Sequence, residues 1–166
     1  MRTEMLVLGY RTAQMIISAN LAGVSQEESL EQPSKAGNCI NWLAGHLLTS
    51  RDGLCRTLGN TISTLDDGES QLYKQGSGPL RNGRAAVDVN RLAAELQNSG
   101  HALVTRIQAM SEEELDVLIE PKMFPVPVES PSIANLLTLF LFHEAYHAGQ
   151  MGLGRRLLGK DPGVPI

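Results

Sequence analysis

The feature that most constrains this chain is a pair of histidines inside an otherwise apolar helical stripe. Residues Ser130 to Leu158 read SPSIANLLTLFLFHEAYHAGQMGLGRRLL. Ser130 followed by Pro131 reads as a helix start: a hydroxyl that accepts from the first N–H groups, then a residue whose missing N–H costs nothing there. Counting forward in threes and fours gives Ile133, Leu136, Phe140, His143, His147, Gln150, Gly154 and Leu157. That is one helix face, apolar at both ends and polar in the middle. Two imidazoles therefore point where core is expected, and such a conflict between local chemistry and global pattern marks a site.

Histidines at i and i+4 lie about 40° apart around a helix and one turn apart along it. Both rings can then reach one ion, a common arrangement for zinc, nickel and similar metals. His143-Glu144-Ala145-Tyr146-His147 also satisfies H-E-x-x-H, the zinc-peptidase pattern in which Glu144 would be the general base. A peptidase would bring its third ligand from downstream. The nineteen residues after His147 contain no His, Cys or Glu, only Asp161. The third ligand is therefore expected upstream, where the histidines are His46 and His101.

His46 borders the stripe Ile40, Leu43, Leu47, Leu54 and Leu58 of a second helix, which starts near Ser34 or Asn38 and ends before Gly59. His101 lies off the rhythm Val89, Leu92, Leu96, Leu103, Ile107 and Met110 of a third helix, Asp88 to Met110, and is expected to face solvent. His46, His143 and His147 are thus the expected metal ligands. Three neutral imidazoles on a divalent cation leave a fourth position for water or substrate, as catalytic sites do. The alternative is a pair of core histidines bonded to neighbouring polar groups. Incomplete pairing would then cost on the order of 1–3 kcal/mol for each, so a metal is the simpler account.

The remaining segments support an all-α fold. A first helix, about Arg2 to Ala22, places Met5, Leu8, Met15, Ala19 and Ala22 on one face and ends at Gly23. Ser25 to Glu28 and Ser111 to Glu114 fit capping boxes that open short helices. Pro121 to Pro131 holds four prolines and reads as extended chain crossing the bundle. Gly59 to Asp88 has few apolar anchors and reads as a surface crossover, or more sharply as a flap over a pocket with Tyr73 at its centre. Four long amphipathic segments make a four-helix bundle, with long loops after helices two and three, in one domain spanning residues 1–166.

Composition narrows the partners. A net charge of -4 and a pI near 5.5 give no reason to expect nucleic acid or a membrane surface. Cys39 and Cys55 are too few for a disulfide framework and read as small buried hydrophobes. No apolar leader follows Met1, and the apolar run around Leu136 to Phe142 is far short of the ~20 residues a membrane span needs. A soluble, cytoplasmic protein is expected.

Asn41-Trp42-Leu43-Ala44-Gly45-His46-Leu47, with His143 to Gln150 and Arg156-Leu157-Leu158-Gly159 far downstream, resembles the DinB-like (damage-inducible) family over nearly the whole chain. The resemblance implies a four-helix bundle with a three-histidine metal site, carried over here to His46, His143 and His147, and often a homodimer. Relatives include thiol-dependent transferases and isomerases, so it also implies a divalent metal, zinc or nickel foremost, a low-molecular-weight thiol and a small-molecule substrate. Arg51, Arg84 or Arg155 could then supply charge around a thiol cofactor, and Gln150 could bond a ligand. Three functions remain open: a metal-dependent enzyme, either a thiol-dependent transferase or isomerase or a hydrolase using metal-bound water, with Glu144 either its base or a carboxylate behind the ligands; a non-enzymatic metal-binding stress-response protein; and a zinc peptidase.

The ligand assignment is testable by elemental analysis after dialysis. His46→Ala should weaken metal binding as severely as His147→Ala, and His101→Ala should leave it unchanged. Equal losses at His46 and His101 would reject His46 as the third ligand.

Overall fold

Side-chain caps mark the starts of five helices in the computed structural model of the chain, which describes residues 2–35, 37–60, 62, 65–80, 86–121, 124 and 127–164. Among these residues there are seven helices: α1 (Arg2–Leu21), α2 (Gln26–Ser29), α3 (Ile40–Thr57), α4 (Asp67–Leu72), α5 (Val89–Gln108), α6 (Glu112–Leu115) and α7 (Ile133–Leu157). The boxes expected at Ser25–Glu28 and Ser111–Glu114 both form, and Asp66–Glu69 adds another before α4. No strand occurs among the described residues, and no helix there is long and apolar enough to cross a membrane.

The cap of α7 is Ser132, two residues later than Ser130. Its N–H donates to Asn135 Oδ1 at 2.9 Å while its hydroxyl accepts from the Asn135 N–H. The delay has a cause. Ile119 N–H donates to the Pro131 carbonyl at 2.9 Å and Ile133 N–H to the Val117 carbonyl at 3.0 Å, so residues 131–132 are held extended against 117–119. The proline-rich segment therefore does not cross the bundle as expected. Its two flanks pair with each other, and of its Phe124-to-Val128 run Pro125 and Val126 lie outside the described residues.

Contacts between helices give their directions. Tyr10 bonds Leu137, Asn20 bonds Ala148 and Arg155 bonds Ala22, so α1 and α7 run parallel. Asn41 bonds Val87, Arg51 bonds Leu96 and Arg106 bonds Leu58, so α3 and α5 are parallel too. Gln26 bonds Val89 near one end of the α1–α5 pair and Arg2 bonds Glu112 at the other; Ile40 faces Gly154 while Arg51 faces Glu144. Helices α1 and α5, and α3 and α7, are therefore antiparallel neighbours. The long helices run up, down, down, up. A parallel α3–α5 pair obliges residues 58–88 to return the whole length of an 18-residue helix, about 27 Å. Topology, then, is the reason for that long connection.

Inside the bundle, the stripes read for α3 and α5 are buried throughout. The stripe read for α1 is not: Met5, Leu8 and Met15 are 71%, 67% and 56% exposed, and Leu6, Val7, Tyr10, Ala13, Ile17 and Leu21 face inward. On α7 the inward residues are Ile133, Leu136, Leu137, Glu144, His147, Ala148 and Met151, with Gln150 and Leu157 exposed. Both helices carry large apolar residues on two faces, so periodicity allows two rotational settings. Polar contacts select one: the Tyr10 hydroxyl donates to the Leu137 carbonyl at 2.7 Å and the Asn20 amide to the Ala148 carbonyl at 3.0 Å. Cys39 and Cys55 are free and buried, as expected.

The crossover is pinned by Tyr73, which is fully buried. Its hydroxyl donates to Asn41 Oδ1 at 3.0 Å and accepts from the Val87 N–H at 2.8 Å. Its ring packs on α3 at Gly45, where a Cβ would clash with the ring carbons. Gly45→Ala should therefore destabilise the protein by about 1–3 kcal/mol, the cost of overpacking, although alanine in a helix normally gains about 1 kcal/mol over glycine. Urea denaturation measures this; a neutral or stabilised variant would show that Tyr73 does not hold the crossover against α3.

Candidate metal centre

His46 reaches the site from the buried face of α3, where Trp42, one turn earlier, stacks on it with ring centroids 4.6 Å apart and planes 15° from parallel. His46 Nδ1 lies 2.8 Å from the Tyr73 carbonyl. A carbonyl only accepts, so Nδ1 carries the proton and Nε2 presents its lone pair. His147 is set the same way from α7. Its Nδ1 is 2.7 Å from Gln150 Oε1, and the Gln150 NH₂ donates to the Tyr146 hydroxyl at 3.2 Å, which keeps Oε1 toward the ring. Partners of this kind fix tautomer and ring orientation at metal sites.

His143 completes the group. Its Nε2 is 3.1 Å from Nε2 of His46 and 3.1 Å from Nε2 of His147. Two lone pairs thus converge on a third ring nitrogen that has one N–H at most to give. The three side chains form a group that could hold a metal ion. A tetrahedral ion with bonds of about 2.0–2.1 Å separates its nitrogens by about 3.3 Å, close to the two 3.1 Å separations at His143. His101, exposed on α5, takes no part.

Burial favours the uncharged ligand form. Desolvation lowers His46 and His147 below the ordinary imidazole range, against smaller opposing hydrogen bonds from Tyr73 and Gln150. His143 is pushed down to about 4, by desolvation first and then by the neighbouring His147 and His46.

The histidines form one wall of an open cavity of about 680 Å³. Trp42, Phe124, Leu139 and Phe140 supply its apolar surface, and Asn38, Ser50, Gln75, Tyr146 and Gln150 its polar groups. The other residues singled out in the sequence lie elsewhere. Both Glu144 oxygens are held by Arg51, at 2.7 and 2.9 Å, and neither residue lines the cavity. Arg155 bonds the carbonyls of Asp161, Asn20 and Ala22. Arg84 is outside the described residues. Sequence reasoning singled out Tyr73 but not the role of its carbonyl, and it missed the Ser77 hydroxyl, which accepts from Trp42 Nε1 at 2.9 Å. A backbone carbonyl and a hydroxyl in a polar connection carry no periodicity that could have pointed to either role.

Comparison with known proteins agrees with the helical fold. A crystal structure of a conserved protein from Enterococcus faecalis superposes with a TM-score of 0.75 at 20% identity, covering 95% of this chain and 98% of that one. A DinB-like protein from Bacillus subtilis gives 0.67 at 17% identity, covering 98% and 96%. These similarities establish the shared all-α fold. No significant match was found among functionally curated proteins. The DinB superfamily model matches residues 10–151, a span that takes in all three histidines, and the chain belongs to that superfamily.

Proposed function

We propose that the protein is a metal-dependent enzyme that binds a divalent cation through His46, His143 and His147 and works on a small molecule in the adjoining cavity. The observation that supports this best is the convergence of three Nε2 atoms, two of them with lone pairs fixed by outer partners, at the wall of that cavity. Bound there, a divalent cation supplies Lewis acidity and favours the deprotonated form of whichever sulfur or oxygen ligand takes the open position. Trp42, Leu139 and Phe140 give an apolar surface for an electrophile. Tyr146 and Gln150 offer hydroxyl and amide groups to orient a ligand and take or give a hydrogen bond.

Between a thiol-dependent transferase or isomerase and a hydrolase, the transferase is the better reading. A Glu-assisted hydrolase needs a carboxylate within reach of the attacking water, and Glu144, 2% exposed, has both oxygens engaged by Arg51. A thiolate needs no such base once it is formed. For assembly, we propose a homodimer. The outer face of α1 and α7 exposes Met5, Leu8, Met15, Phe142 and Leu153, and a second copy would bury it.

With zinc or nickel loaded, electrophile consumption should appear only when a low-molecular-weight thiol is added, and should vanish in His46→Ala. Thiol-independent ester or amide hydrolysis would favour the hydrolase, and full metal occupancy without turnover over a broad panel would favour a non-enzymatic metal-binding protein. Metal retention should also depend on pH in a defined direction. Protons compete for ligand nitrogens, but burial lowers all three imidazoles, His143 to about 4, so metal retention should persist below the usual 6.5 and fall as pH drops further. The metal-free fold follows the same sign: its histidines bind protons less readily than those of the unfolded chain, so stability is complete above 6.5 and declines toward 4. Metal content after dialysis, with fluorescence of the sole tryptophan Trp42 stacked on His46, measures both. Loss already complete at pH 6.5 would contradict the desolvated setting of the rings.

A further inference from the structure

Arg51 and Glu144 are 1% and 2% exposed and meet in a two-pronged ion pair, Nε to Oε1 at 2.7 Å and Nη2 to Oε2 at 2.9 Å. Arg51 Nη1 also donates to the Leu96 carbonyl at 2.6 Å on α5 and to Gln14 Oε1 at 2.7 Å on α1, with the Ser99 hydroxyl at 3.4 Å. One guanidinium therefore bonds α1, α5 and α7 from its place on α3. This polar layer lies where the apolar core divides. One cluster holds Ile17, Leu48, Leu96 and Ala148, and the other holds Tyr10, Leu54, Leu103 and Leu137.

Stability is a poor reason for such a layer. Desolvating a guanidinium and a carboxylate is expensive, and apolar replacements of similar volume are often neutral or stabilising. Register specification is the better-attested use. Helix α7 has a particular need of it, because it is apolar on opposite faces. Phe142, Leu153 and Leu157 are 71%, 54% and 61% exposed, while Leu136, Leu137 and Met151 are buried. Hydrophobic burial thus leaves the rotation of α7 about its own axis weakly determined; the Tyr10 and Asn20 bonds reach α7 only at backbone carbonyls, whereas Glu144 is held by its own side chain. A shift by one residue, about 100°, would carry His143 and His147 away from His46. Glu144 lies between those two ligands in sequence and meets Arg51 in one setting only.

We propose that the Arg51–Glu144 pair is a positioning device for the metal ligands: it locks the rotation of α7 against α3 so that His143 and His147 face His46. Glu144 acts through its helix and does not touch substrate. The inference rests on the metal-site reading above.

The test compares wild type, Glu144→Gln and the double variant Arg51→Met/Glu144→Met. Co²⁺ titration is followed by ligand-field absorption and Trp42 fluorescence, with urea denaturation of the metal-free proteins alongside. The double variant should keep at least wild-type stability without metal, yet bind Co²⁺ about 10–100-fold more weakly and with an altered ligand-field spectrum. Glu144→Gln still accepts from Arg51 and should fall between. Wild-type affinity and spectrum in the double variant would overturn the proposal. Should that variant fail to fold, Glu144→Gln decides: weaker binding at unchanged metal-free stability supports positioning, and unchanged binding overturns it. Absence of Co²⁺ binding by the wild-type protein would sink the metal reading and this inference together, whereas equal tight binding by wild type and double variant sinks the positioning role alone.

Discussion

A charged layer buried across the middle of the bundle is the constraint on which the other arrangements depend. Arg51 bonds partners on α1, α5 and α7, and the apolar core is split in two around it. Apolar contacts are non-directional, so two clusters of Leu, Ile, Val and Met would tolerate several rotations of the helices that build them. Hydrogen bonds to a planar guanidinium are directional. The layer thus contributes geometry where the clusters contribute most of the stabilisation, and the site lies within about two turns of it along both α3 and α7.

The histidine cluster also depends on the route of the chain. Because α3 and α5 run parallel, their connection must travel back along the bundle, and it does so over the face of α3 that carries Trp42 and His46. The Tyr73 carbonyl sets the tautomer of His46, the Tyr73 ring requires glycine at position 45, and the Tyr73 hydroxyl joins Asn41 to Val87 at the start of α5. A glycine inside a helix costs about 1 kcal/mol against alanine, and here close packing of an aromatic ring offsets it. The Asn-Trp-Leu-Ala-Gly-His run thereby resolves into separate tasks: an amide that ties down the crossover, an indole that stacks on the His46 ring, a gap for Tyr73, and one member of the histidine cluster.

Much of this was legible in the residues. The four long helices, two capping boxes, the exposure of His101 and the pairing of His143 with His147 follow from spacing, because spacing determines which side chains share a face; that His46 meets them was expected from its place beside a buried stripe and from the DinB-like resemblance. What could not be read was rotation. On α1 and α7 large apolar residues occupy two faces, so counting in threes and fours selected Met5, Leu8, Met15, Gln150 and Leu157 as inward when they face solvent. The discriminating signal was polar and non-local: Tyr10 to Leu137, Asn20 to Ala148, Arg51 to Glu144. The start of α7 was misplaced for a similar reason, since the Leu118–Ser132 bridge lies outside any local capping rule.

The H-E-x-x-H match shows why a motif gains its meaning from the side chains facing it. On a helix, the residue after the first histidine lies about 100° from that histidine and about 60° from the second. A glutamate there can serve a bound ion only if the cavity wraps around that arc. In this protein the arc is filled by Arg51, and the cavity opens on the other side of the histidines, toward Tyr146 and Gln150. The same five residues therefore supply two of the three clustered imidazoles and one internal ion-pair partner. Among the described residues no carboxylate lines the cavity, so under the function proposed above a nucleophile that is already anionic fits the site better than one that a carboxylate must deprotonate.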